Sequence, residues 1–154
     1  MGEKIQDIIS KMEMLERVIG RLYKVYADSF PADSSFWIQL SKEEEDHAGM
    51  IKELEKEVQN SNLSFDETRF NLNAIQTTIR YVQQKIKQAN DGLLTAQEAY
   101  NIAWDIENGL LEKNFFQTFQ TDNHRLRVVL KKLITDTTEH RNRVNRQKNK
   151  NIFT

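Results

Sequence analysis

The chain of 154 residues is long enough for one domain with a substantial core and short for two. One Pro, five Gly and no Cys, in a chain rich in Leu, Ile, Glu, Lys and Gln, point to an all-α protein. They also exclude disulfides, thiolate zinc sites, cysteine-ligated iron–sulfur clusters and thiol catalysis. A formal net charge of -1 gives no electrostatic argument for nucleic acid. No apolar run approaches the roughly 20 residues of a membrane span. Met1-Gly2-Glu3-Lys4 opens into an amphipathic pattern unlike a signal peptide, so a cytoplasmic protein with no nucleic-acid or membrane partner is expected.

In chain order, Ile5, Ile8, Met12, Leu15, Ile19, Leu22 and Tyr26 recur at steps of three and four, which predicts a helix from about Ile5 to Ser29. Glu16 lies beside this stripe. Pro31 disfavours helical geometry in the residue before it, and Asp33 or Ser34 is the expected cap of the next helix. That second helix runs to about Gln59, with a seam of Trp37, Leu40, Glu44, His47, Ile51, Leu54 and Val58. The short connection makes the two helices antiparallel neighbours.

Asn60-Ser61-Asn62 breaks the pattern. Phe70, Leu72, Ile75, Ile79, Val82 and Ile86 then predict a shorter helix over about Asn71 to Ala89, inside a long crossover that ends at the turn Asn90-Asp91-Gly92. Thr95-Ala96-Gln97-Glu98 has the pattern of a capping box. The helix it opens is expected to reach Phe119 along Tyr100, Ala103, Glu107, Leu110 and Asn114. A final helix, capped by Thr121 or Asp122 and reaching about Arg146, follows Leu126, Leu130, Leu133, Thr137, His140 and Val144. The expected organisation is one domain over 1–154: a hairpin at 5–59, a crossover at 60–94, a hairpin at 95–147 and a basic tail at 148–154.

Glu16, Glu44, His47, Glu107 and His140 are the polar members of these stripes. Taken singly, each reads more simply as hydrogen-bonded core or solvated acidic face. Ionised Glu is almost never buried unpaired, however, and five such residues at mid-stripe on four helices read as a metal centre. Carboxylate and imidazole suit iron or manganese, and the i, i+3 pair Glu44/His47 presents both groups to one ion. The spacing repeats, since each half carries a carboxylate on its first helix and a histidine on its second. Four helices paired by short turns make a four-helix bundle. The aromatic seam residues Tyr23, Tyr26, Tyr100, Trp37 and Trp104 read as core, with a redox relay as the functional alternative; His124 reads as surface.

Leu15-Glu16 with Leu22-Tyr23, Ala27-x-x-Phe30-Pro31, Phe36-Trp37 and Glu44-x-x-His47-Ala48 resemble the first hairpin of the rubrerythrin-type ferritin-like family. Ala103-Trp104-Asp105-Ile106-Glu107 and His140-Arg141 resemble its second. The resemblance implies a ferritin-like bundle with a di-iron centre. Glu16 and Glu107 would be terminal ligands, Glu44 the bridge, and His47 and His140 one nitrogen ligand each; manganese or a single ion are the alternatives. It further implies an oxidoreductase that reduces hydrogen peroxide or oxidises ferrous iron with dioxygen or peroxide, working as a homodimer. The family's rubredoxin module is cysteine-rich and has no counterpart here, so an external electron donor is implied. Thr137 stands where the family has a second bridging Glu; Asp136, four residues before His140, is the candidate replacement, and Glu139 another. A degenerate site in a non-catalytic or single-metal protein is the competing reading.

Overall fold

The structure, a computed structural model, describes residues 2–58, 64–65, 72–113, 116 and 119–152. Among them are five α-helices: α1 Gly2–Ser29, α2 Ser34–Val58, α3 Leu72–Asn90, α4 Ala96–Glu112 and α5 His124–Ile152. The stripes named above explain why they pack. Every apolar member of the α1 stripe is buried, as are Trp37, Leu40, Ile51 and Leu54 on α2 and Leu126, Leu130, Leu133 and Val144 on α5. Asn114 and Phe70 lie outside the described residues, as does the side chain of Val58.

Several boundaries differ from expectation. A 3-10 turn over Pro31–Asp33 leads straight into α2. Helix α4 ends at Glu112, well before Phe119, which instead forms a two-residue strand with Gln120 (β2). That strand pairs antiparallel with Ser64–Phe65 (β1), tying the crossover to the α4–α5 connection. The cap of α5 is neither Thr121 nor Asp122. Asn123 Oδ1 accepts from the Leu126 amide at 3.2 Å, while Thr121 Oγ1 accepts from the Asn123 amide at 3.0 Å. Helix α5 also continues to Ile152, so most of the expected basic tail is helical. The capping box at Thr95 and Glu98 forms as read. At the end of α3, Gly92 has φ of 71°, a left-handed geometry that lets its own amide and that of Leu93 reach the carbonyls of Ala89 and Gln88.

Cross-helix contacts set the directions. Tyr23 and Tyr26 pack on Trp37, the Ser41 hydroxyl donates to the Gly20 carbonyl, and Glu16 approaches His47, so α1 and α2 are antiparallel. Glu57 meets Arg125, His47 meets Asp136 and Glu43 meets Arg143, which makes α2 and α5 antiparallel. Helix α4 runs parallel to α2, because Tyr100 stacks on Trp37 while Glu107 and Glu44 both flank His140. Two parallel helices need the chain to return along their length. Helix α3 makes that return, packed along α1 and antiparallel to α4, with Lys113 donating to Thr78. The crossover thereby places α4 and α5 against the polar middle of α1 and α2.

Candidate metal centre

Each of the five polar stripe residues is buried at this common level: Glu16 and His47 are 2 % exposed, Glu44 and His140 1 %, and Glu107 0 %. Glu44 sits at the centre. Its Oε1 lies 2.8 Å from His140 Nδ1, and its Oε2 lies 3.5 Å from His47 Nδ1. Glu16 flanks one side, 4.0 Å from His47 Nδ1, and Glu107 the other, 3.7 Å from His140 Nδ1. The imidazoles stack with centroids 5.1 Å apart. Four helices thus each contribute at least one group, and the Nδ1 atom of each histidine is turned toward the carboxylates.

The outer side of each ring meets another carboxylate. His47 Nε2 lies 3.0 Å from Asp136 Oδ2, and His140 Nε2 lies 3.6 Å from Glu43 Oε1. Asp136 is anchored by Lys132 at 3.0 Å, and Glu43 by both oxygens on Arg143 at 2.8 and 2.9 Å. The arrangement is reciprocal: α5 supplies the acid facing the α2 histidine, and α2 the acid facing the α5 histidine. Outer carboxylates of this kind fix ring orientation and raise the basicity of the opposite nitrogen. Asp136 therefore lies across the His47 ring from the inner groups. Glu139 is exposed and pairs with Arg146.

Electrostatics follow from burial. Desolvation, then the nearby Glu44, pushes Glu16 well above the ordinary carboxyl range. The same two causes raise Glu107 to about 7. Burial opposes ionisation of Glu44 as well, but hydrogen bonds from Glu16, His140 and His47 outweigh it and hold Glu44 well below the ordinary range. Burial would lower His140; Glu107 and Glu44 overcome it and raise the ring to about 11. His47 is raised in the same way by Glu44. One buried anion, Glu44, is thus surrounded by groups that hold protons.

Six buried side-chain polar atoms among the described residues lack a hydrogen-bond partner. Five of them are Glu16 Oε2, Glu44 Oε2, Glu107 Oε2, His47 Nδ1 and His140 Nε2, one from each member of the cluster. Buried polar groups are ordinarily satisfied, so their concentration here leaves ligating atoms open at the cluster. A ligating atom from each of Glu44, His47 and His140 lies within 4.8 Å of the others, and this buried cluster can hold a metal ion. An all-oxygen-and-nitrogen donor set suits iron, manganese or zinc.

Four residues beside the cluster have contacts that the sequence reading did not assign to them. The Tyr23 hydroxyl donates to Glu107 Oε1 at 2.7 Å, so this aromatic holds a member of the cluster as well as filling core. Ser41 and Gly20 bring α1 and α2 together beside Glu44. Glu43 had a readable signal: Glu43-Glu44-Glu45-Asp46-His47 and Asp136-Thr137-Thr138-Glu139-His140 match in type at the first, fourth and fifth positions. Thr137 is buried, and its hydroxyl donates to the Leu133 carbonyl at 2.7 Å. Tyr26, Tyr100 and Trp37 are buried in one aromatic cluster, Trp104 is half-buried at its edge of the core, and His124 is exposed. No helix among the described residues is long and apolar enough to cross a membrane. Comparisons with protein-family models, with curated proteins and with solved structures returned no match.

Proposed function

We propose that this chain is a ferritin-like protein of rubrerythrin type whose buried carboxylate–histidine centre holds iron and serves reduction of hydrogen peroxide or oxidation of ferrous iron. The observation that carries the reading is the set of unpartnered buried atoms on Glu16, Glu44, His47 and Glu107, with His140 Nδ1 turned toward the same carboxylates, so that four helices contribute to one cluster. The helix directions support it as well, because the parallel α2 and α4 joined by a long crossover belong to bundles of this kind. Iron, when bound, would supply a change of oxidation state.

The chain's own residues bind and orient. Glu16, Glu44, His47, Glu107 and His140 would hold the ion or ions. Asp136 holds the His47 ring through Nε2 at 3.0 Å, Glu43 faces His140 Nε2 at 3.6 Å, and each ring keeps its Nδ1 inward. Tyr23 fixes one Glu107 oxygen by donating to it, which leaves the other oxygen, without a partner, for the ion. Ile51, Leu40 and Leu133 are fully buried one turn along their helices from His47, Glu44 and Thr137. The Thr137 hydroxyl, committed to its own helix, favours the competing reading of a single-ion, non-catalytic protein.

Metal content separates the two. Purified protein loaded with ferrous iron under argon is expected to retain iron through gel filtration and to consume added peroxide in proportion to the iron retained. Protein that retains no iron, or whose melting temperature is unmoved by iron, would remove the centre. Retained iron inert to both peroxide and dioxygen would leave the non-catalytic reading.

A further inference from the structure

We propose that the groove between α3 and α4 binds a small linear zwitterion: an ammonium at one end, a carboxylate at the other and an apolar chain between. A cavity of about 380 Å³ opens there, lined by Thr78 and Tyr81 from α3 and by Asp105, Ile106, Gly109 and Lys113 from α4. That volume is usual for a small-molecule site. Asp105 and Gly109 stand two residues either side of Glu107, which turns them to the opposite face of α4 from the metal centre. Gly109 keeps the middle of the groove open. A Cβ added to it would meet nothing within 4 Å, so no neighbour demands glycine at this position. Glycine inside a helix costs stability, and here its missing side chain leaves space for a ligand.

The two ends of the groove differ in charge. Asp105, Gly109 and Lys113 recur at i, i+4 and i+8, so an acid, a gap and a base line up on one helix face over about 12 Å. That separation exceeds a Debye length at physiological salt, so the two charges do not satisfy one another. Asp105 makes no hydrogen bond or ion pair among the described residues. Its charge reaches Tyr81, whose phenol is held protonated first by burial and then by Asp105. Carboxylate and phenol oxygen together accept from an ammonium. Lys85, 5.2 Å from the Tyr81 ring centroid, is bonded to Gln88 and stands outside the lining. At the other end Lys113 donates to the Thr78 hydroxyl at 3.2 Å, and Thr78 donates onward to the Ala74 carbonyl at 2.8 Å. An ammonium has three N–H donors and takes a carboxylate alongside the hydroxyl. Ile106 and the Tyr81 ring supply the apolar wall between. A ligand with about four to six methylenes fits this length in one orientation, and one with like charges at both ends is repelled at one of them.

Calorimetric titration of the full-length protein at low salt tests this, with ε-aminocaproate as the probe and caproate, hexylamine and hexamethylenediamine as comparators. One ε-aminocaproate per chain is expected, bound at least about tenfold more tightly than caproate or hexylamine, with no detectable binding of the diamine. Asp105→Asn should weaken ε-aminocaproate by about tenfold or more and leave the melting temperature in place, because Asp105 is exposed. Gly109→Leu should abolish binding while melting no lower than the parent, since its side chain enters open space. No saturable binding of ε-aminocaproate at millimolar concentration would overturn the proposal. So would hexylamine or the diamine binding as tightly as the zwitterion, or Gly109→Leu binding like the parent. If Gly109→Leu does not fold, Asp105→Asn decides: binding unchanged in that variant removes the site.

Discussion

Metal-free protein should lose stability as pH rises through neutrality, and Glu107 sets the scale of the effect. Burial and Glu44 raise its carboxyl from 4.5 to about 7. The folded form therefore keeps a proton that the unfolded chain has released. Its contribution is complete below pH 4.5 and is lost as pH climbs through 7, a change of about 3 kcal/mol. Glu16 is raised by the same causes and adds in the same direction. His140, raised from 6.5 to about 11, contributes stability that is complete below 6.5 and declines as pH rises toward 11, so its slope has the same sign. Glu44 has the opposite shift, and its contribution is lost only in acid. For a chain of this size, about 3 kcal/mol corresponds to roughly 6–12 °C in melting temperature. Calorimetric melts of chelator-treated protein between pH 5 and pH 8 measure it directly. With zinc present the slope should reverse, since the ion displaces the same protons and binds more tightly as pH rises. A metal-free melting temperature that is level or rising from pH 5 to pH 8 would refute the assignment of protons to this cluster.

Glu44→Gln removes the one anion on which two histidines and Glu16 depend; it should abolish metal retention and lower metal-free stability by roughly 3–5 kcal/mol in denaturant titrations. An unchanged metal count would show that Glu44 is not a ligand. Tyr23→Phe takes away the hydroxyl bonded to Glu107 at 2.7 Å. Its cost should be about 1–3 kcal/mol at pH 8, where Glu107 is ionised, and smaller at pH 5; equal costs at both would place the effect in packing alone. Gly20→Ala puts a methyl 3.3 Å from Glu44 Cβ and 3.4 Å from the Ser41 carbonyl, neither of which can move without its helix. The gain of about 1 kcal/mol in helix propensity should be outweighed, giving a net loss of about 1 kcal/mol and weaker zinc binding. A stabilised variant with unchanged zinc affinity would show that the α1–α2 spacing has slack at this level.

Periodicity determined most of the helical architecture. Seams at steps of three and four predicted five helices because each element must bury one stripe, and the stripe is written in consecutive residues. The same logic picked out Glu44, His47, Glu107 and His140, since a polar residue inside an apolar stripe is conspicuous within one helix, and Glu16 beside such a stripe. Boundaries failed where the stripe does not mark the end of its helix: α4 was carried on to Phe119, which is buried from a strand paired with Phe65. Three features were decided only by tertiary structure. The α3 return makes α2 and α4 parallel and so levels Glu107 with Glu44. Reciprocal packing of α2 on α5 turns Asp136 and Glu43 to the outer ring nitrogens. Close contact at Gly20 and Tyr23 sets the inner carboxylates. Each depends on residues brought together from different helices, where no local period connects them, and on charge that becomes costly only once water is gone.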